Sequence, residues 1–220
     1  HIIAANIDQS VLIGTLKEPR TSQGFIDRFL VVCEMYYVPA IIVFNKTDLY
    51  KTKEEDKYRH LSSIYESLGY KTLAISVKEN RGIDEINGLL QNKITLISGH
   101  SGVGKSSLIN AILPGVDLKP QELSGWSGKG MHTTTFATMY DLPNGGSIID
   151  TPGIRELAIS SLEKEELSHY FPEMLSRLQN CQYNNCVHIN EPNCAIKEAV
   201  QKGEITEERY LSYINILDTL

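Results

Sequence analysis

The sequence predicts an α/β protein with a doubly wound, mostly parallel sheet, followed by a small α-helical domain. Three observations carry this expectation. Short apolar runs alternate with longer amphipathic stretches through the first two-thirds of the chain. A glycine-rich segment joins one of these runs to a helical stretch. Beyond residue 159 the pattern turns helical and is interrupted by three cysteines and a histidine.

The apolar runs lie at 11–13, 40–44, 72–75, 94–97 and 147–149. Runs that are apolar throughout, rather than alternating, suit strands covered on both faces by helices. Helical periodicity falls between them at 23–37, 53–68, 82–91 and 105–113. Strand and helix in alternation imply right-handed crossovers between parallel neighbours. A hairpin is expected late in this region, because Pro143-Asn144-Gly145-Gly146 separates 136–142 from 147–150. Residues 115–135 are rich in Gly and Ser and contain the single tryptophan, Trp126. A loop of that length in a compact domain is usually functional. The expected domains are 1–159 and 160–220.

The chain has 220 residues, enough for one good core and a smaller unit, and no apolar run approaches bilayer length. The start carries no secretory pattern, so a cytoplasmic protein without a membrane segment is expected, and a monomer. Residue 1 is His rather than Met. The net charge of −6 is uneven: 16 Lys and Arg face 17 Asp and Glu up to residue 159, and 5 face 10 beyond it. An acidic tail disfavours non-specific binding to a phosphate backbone, so any contact with nucleic acid must be local or made by residues outside this chain.

Gly99-His100-Ser101-Gly102-Val103-Gly104-Lys105-Ser106 fits the pattern G-x-x-x-x-G-K-[ST], between an apolar strand and an amphipathic helix that continues at Ser107. Glycines let successive backbone N–H groups face a phosphate chain, and the helix N-terminus adds partial positive charge. Lys105 is expected at the β- and γ-phosphates, and the Ser106 hydroxyl on Mg²⁺. Asn45-Lys46-Thr47-Asp48 ends the run 40–44 and resembles the guanine-specificity motif of GTPases. A carboxylate at Asp48 can accept both the N1–H and the 2-amino group of guanine, a donor pair that adenine lacks. Asn45 and Lys46 would brace this loop and cover the base. Backbone N–H groups near Ser76 and Val77, after the run 72–75, would meet the guanine O6.

Asp150-Thr151-Pro152-Gly153 resembles the GTPase element whose Asp holds Mg²⁺ and whose Gly N–H meets the γ-phosphate. In His132-Thr133-Thr134-Thr135, Thr134 is favoured to complete the Mg²⁺ shell, with Thr133 close behind. Ile154 stands where signalling GTPases carry a water-positioning Gln, so intrinsic hydrolysis should be slow. His132 is the catalytic candidate in cis, an imidazole able to orient or deprotonate water; packing or capping is the competing reading. GTP with Mg²⁺ would order residues 115–135 and hydrolysis release them.

Cys33 sits in an apolar stretch and reads as a small buried hydrophobe. Cys181, Cys186, His188 and Cys194 supply three thiolates and one imidazole, the composition of a closed tetrahedral zinc site. About 60 residues hold too little core to be secure alone, so the metal would supply folding energy.

The motifs run in permuted order: 45–48, then 76, 99–106, 132–135 and 150–153. With the opening Ile3-Ala4-Ala5-Asn6-Ile7-Asp8-Gln9, the segment 150–157 and the Cys/His tail, this order is similar to that of the RsgA (YjeQ) family of circularly permuted GTPases. The resemblance spans essentially the whole chain. It implies a GTP hydrolase binding GTP or GDP, Mg²⁺ and Zn²⁺. It further implies the same four zinc ligands, and a helical subdomain that helps dock on the small ribosomal subunit and its RNA during assembly. Family members also carry an N-terminal OB-fold, which would lie ahead of His1. Two rivals stand beside this reading. A non-hydrolytic, GTP-responsive module binding ribosomal RNA or particles would show no stimulation by small subunits. A small-molecule kinase would want lid arginines, and 115–135 contains none.

Overall fold

The runs expected as strands form one six-stranded sheet. Its strands are β1 (Gln9–Gly14), β2 (Ala40–Phe44), β3 (Lys71–Ala74), β4 (Ile94–Ser98), β5 (Thr138–Asp141) and β6 (Ser147–Asp150). The computed structural model describes residues 6–113, 115–116, 137–150, 159 and 162–220. Strand order is β3-β2-β1-β4-β6-β5, parallel throughout except for the β5–β6 hairpin. The chain winds outward from β1 to β3, then returns to the other side of β1 with β4. That reversal makes the β1–β4 junction the switch point of a doubly wound sheet.

The helices expected between strands are present as α1 (Gln23–Met35), α2 (Thr52–Ser67), α3 (Ile83–Leu90) and α4 (Lys105–Ile112). Alternate residues of β1 (Val11 and Ile13) and of β2 (Ile41 and Val43) share one core with Ile97 of β4, Ile148 of β6, and Ile86, Leu90, Leu108 and Ile109 of α3 and α4. This is the period-two geometry of a strand meeting the apolar stripe of a helix. On the opposite side Ile42 and Phe44 are fully buried, and the Phe44 ring meets Tyr58 of α2 edge-on at 5.5 Å. The Glu54 carboxylate accepts the Lys51 N–H at 2.9 Å, satisfying a donor at the start of α2.

Two compact units result: His1–Thr21 with Val38–Arg155, and Ser22–Tyr37 with Glu156–Leu220. The division expected at residue 159 falls instead between Arg155 and Glu156, and one helix changes sides. Although α1 lies between β1 and β2 in sequence, it belongs to the second unit. Its Val31 joins the core of that unit, and its Asp27 is bonded to Arg209. Sequence neighbours do not reveal which core an apolar face will choose.

The rest of the second unit is helical, as expected. After a 3₁₀ turn (Lys164–Tyr170) come α5 (Pro172–Leu175), a second 3₁₀ turn (Leu178–Asn180), α6 (Ala195–Gln201) and α7 (Glu207–Leu217). Leu167, Phe171, Met174, Ile196, Tyr213 and Ile216 fill its core. Inside it lies Arg209, only 1% exposed. Its guanidinium donates to both Glu173 carboxylate oxygens (2.7 and 3.2 Å) and to Asp27 Oδ1 (2.7 Å), and it stands 4.6 Å over the Phe171 ring. Charge-assisted, bidentate bonding of this kind is what allows a guanidinium so far from water.

Candidate functional site

Because β2, β3, β4 and β6 are parallel members of one sheet, the segments that follow them leave from the same edge. Asn45, Ser76, Gly99 and Asp150 are therefore brought to one rim, whatever their order along the chain. Carboxyl ends of strands beside a switch point are where open α/β sheets bind ligands.

The glycine-rich loop turns tightly against its neighbours. Gly99 has φ 149° and Gly104 φ 98°. A Cβ on Gly99 would overlap the Ile13 carbonyl, and one on Gly104 would overlap the Asn45 side-chain amide. Between them Val103 plugs the core, and α4 starts at Lys105 with Leu108 N–H donating to Gly104 O at 2.9 Å. His100 and Ser101 are exposed, whereas Gly102, Gly104, Ser106 and Ser107 are half-buried along the loop and first helical turn.

Asn45 joins three segments. Its N–H donates to Gly14 O (2.8 Å), its Nδ2 donates to Val103 O (2.9 Å), and its Oδ1 accepts from Val77 N–H (3.3 Å). Lys46 adopts the left-handed conformation, with φ 63°, and its Nζ donates to Glu18 O at 2.6 Å. The chain then enters a 3₁₀ turn (Thr47–Leu49), pinned by Thr47 N–H and Oγ1 donating to Ile75 O. Asp48 Oδ1 accepts from the Ser76 hydroxyl at 2.7 Å, and Ser76 Oγ accepts from Glu79 N–H at 3.2 Å. This link between Asp48 and Ser76 was not foreseen, since only backbone N–H groups were expected to act near Ser76.

Lys105 and Asp150 form the charged centre of the rim. Lys105 Nζ donates to the carbonyls of Gly99 (2.6 Å) and His100 (3.1 Å). Burial lowers the Lys105 pKa while Asp150 raises it; burial raises the Asp150 pKa while Lys105 lowers it. Asp150 Oδ1 is buried with no hydrogen-bond partner among the described residues. An orphaned carboxylate oxygen in this position suits a cation. The His100 pKa is also lowered, by partial desolvation of its ring and then by Lys105. His132, Thr133, Thr134, Gly153, Ile154 and Trp126 lie outside the described residues.

In the second unit, the candidate ligand atoms of Cys181, Cys186, His188 and Cys194 all lie within 4.8 Å of one another. His188 Nδ1 is 3.3 Å from Cys194 Sγ and 3.8 Å from Cys181 Sγ. Zinc–sulfur and zinc–nitrogen bonds of about 2.3 and 2.0 Å span tetrahedral edges of roughly 3.5–3.8 Å. The widest separation exceeds such an edge by about an ångström, so the four residues fit an ion after a modest contraction of the loop around it. Burial pushes the His188 imidazole down to about 4, so it is a neutral donor, and pushes the Cys186 thiol up to about 12. Making a thiolate there calls for a bound cation.

Comparison with known proteins identifies the family. A chain from Cytophaga hutchinsonii named small ribosomal subunit biogenesis GTPase RsgA is 54% identical over 217 residues, covering 99% of this chain and 71% of the relative. Its counterpart RsgA 2 from Bacteroides thetaiotaomicron is 51% identical, covering 99% and 70%. The crystal structure of YjeQ from Thermotoga maritima superposes with a TM-score of 0.85 at 41% identity, over 98% of this chain and 72% of that one. That of YloQ, described as a circularly permuted GTPase, gives 0.79 at 32% identity, over 97% and 68%. Residues 1–160 match the family model of the RsgA GTPase, and with motifs in permuted order meeting at one sheet edge, the chain belongs to that family of GTP-hydrolysing enzymes.

Proposed function

We propose that this chain binds GTP at the rim of β2, β3, β4 and β6, hydrolyses it, and acts as a switch in late assembly of the bacterial small ribosomal subunit. The observation that carries the site is the buried 2.9 Å bond from Asn45 Nδ2 to Val103 O, which ties the base-reading loop to the phosphate loop. The names of the relatives support a role in small-subunit biogenesis; the subunit and its RNA are the partners of this reading, and the cytoplasm its place of action.

Residues 99–107 cradle the phosphates with backbone N–H groups, and Lys105 leaves its own loop carbonyls to meet the β- and γ-oxygens. Asp48 accepts the guanine N1–H and 2-amino group, held in place by the Ser76 hydroxyl, and Val77 offers its backbone N–H side to O6. Asn45 and Lys46 brace the loop beneath the base. Ser106 and Asp150 would hold Mg²⁺, together with Thr134; the ion supplies neutralisation of charge on the phosphates. Gly153 N–H meets the γ-phosphate. His132 orients the attacking water or takes its proton, a role that Ile154 lacks the chemistry to fill. Cys181, Cys186, His188 and Cys194 hold a structural Zn²⁺, all four positions being protein ligands.

Asp48→Asn tests the base contact. The variant should lose GTP affinity on the order of a hundredfold or more and favour xanthosine triphosphate, whose extra carbonyl needs a donor. Retained GTP preference in a competition assay would remove Asp48 from base recognition.

A further inference from the structure

His188 is a buried residue in an uncommon backbone state. Its φ is 61°, in the left-handed region that a side chain with a Cβ rarely occupies without support. The supports are specific. Glu191 Oε1 accepts from Val187 N–H at 2.8 Å, and Glu191 Oε2 accepts from Ile189 N–H at 2.9 Å. These are the backbone N–H groups of the two residues that flank His188. From α7, the Tyr210 hydroxyl donates to His188 O (2.6 Å) and the Tyr213 hydroxyl donates to Val187 O (3.0 Å). Four hydrogen bonds thereby fix three successive residues. The imidazole they aim has its Nδ1 3.3 Å from Cys194 Sγ and 3.8 Å from Cys181 Sγ.

Glu191 is an acidic side chain three residues from two candidate ligands, and carboxylates are themselves zinc ligands. Here both of its oxygens already accept backbone N–H groups, so its charge is spent on the loop rather than on the ion. We infer that Glu191 is the positioning residue of the metal centre: by clamping the N–H groups of Val187 and Ile189, it holds His188 left-handed and turns Nδ1 toward the three thiols. Glu191 in this way sets metal affinity without touching the metal. Outer partners that orient a ligating histidine are worth roughly ten- to a hundredfold in affinity.

The inference rests on the zinc reading above, and one experiment separates the two. The full chain and its Glu191→Ala and Glu191→Gln variants are assayed for zinc content, for zinc affinity against a chromophoric chelator, and for the visible spectrum with Co²⁺ in place of zinc. Wild type should retain one zinc. Glu191→Ala should bind it ten- to a hundredfold more weakly, with altered thiolate-to-cobalt and d–d bands. Glu191→Gln, which keeps one acceptor oxygen, should fall between. A merely structural role would lower the unfolding midpoint but leave affinity and spectrum unchanged, and that result overturns the inference. Should Glu191→Ala not fold, wild-type affinity in Glu191→Gln overturns it equally. A wild-type chain that retains no zinc overturns the metal reading itself, and this inference with it.

Discussion

The two units reach order by different routes. In the first, functional atoms hang from a sheet whose parallel ladders and apolar strands stand without them: Asn45, Ser76, Gly99 and Asp150 lie at or just beyond the carboxyl ends of the strands. In the second, functional and core residues are the same residues. Cys186 and Cys194 belong to the hydrophobic cluster and to the candidate metal set at once. A site on a sheet edge can be altered while its scaffold survives, because backbone hydrogen bonding is indifferent to the side chains beyond the strand ends. A site that lies in the core cannot be altered so freely.

Metal removal should produce the largest effect and would break the comparison if it failed. Structural zinc contributes about 10–16 kcal/mol to small zinc-finger peptides, so Cys186→Ser or chelation should leave the second unit without a stable fold. Hydrogen exchange would then show protection lost in α6 and α7 but kept in β1, β2 and β4. Equal loss in both units would show that the sheet is not self-sufficient. Arg209→Ala comes next. It leaves Asp27 and Glu173 buried beside each other without a counter-charge, and breaking a buried pair in this way costs about 3–5 kcal/mol. Urea denaturation followed through the second unit measures it, and a change below the scatter of the method would reduce the triad to packing. Asn45→Ala should be mildest, at about 1–3 kcal/mol for the buried Val103 carbonyl and the Val77 N–H deprived of their partner. Nucleotide affinity should fall more than stability, because the bond joins two site loops. Equal losses would mean that the link serves the fold alone.

Much of the first unit was legible residue by residue. The strands and helices emerged close to their expected limits because buried parallel strands and amphipathic helices advertise themselves through local apolar spacing. Gly99 and Gly104 were legible as a phosphate loop, yet the reason that no larger residue fits came from Ile13 and Asn45, which are remote in sequence. The choice of α1 to pack with α7 was not legible, since the same apolar face would serve either core. In the candidate metal loop the spacing of Cys181, Cys186, His188 and Cys194 pointed to the cluster that the fold brings together. The left-handed turn at His188 and its clamp by Glu191 had no periodic signature to betray them.

The sequence by itself therefore set out the chemistries proposed for this protein: a candidate phosphate loop, a carboxylate proposed to read guanine, and three thiols with an imidazole. For His132, Thr134 and Gly153 it remains the only source. Tertiary structure alone decided that motifs in permuted order meet at one rim, that Ser76 holds Asp48, and that a buried arginine binds α1 to the second unit. The physical reason is range. Helix periodicity, turn chemistry and ligand spacing act over a few residues and are written locally, whereas a hydrogen bond across 58 positions exists only once the sheet has set its strands side by side.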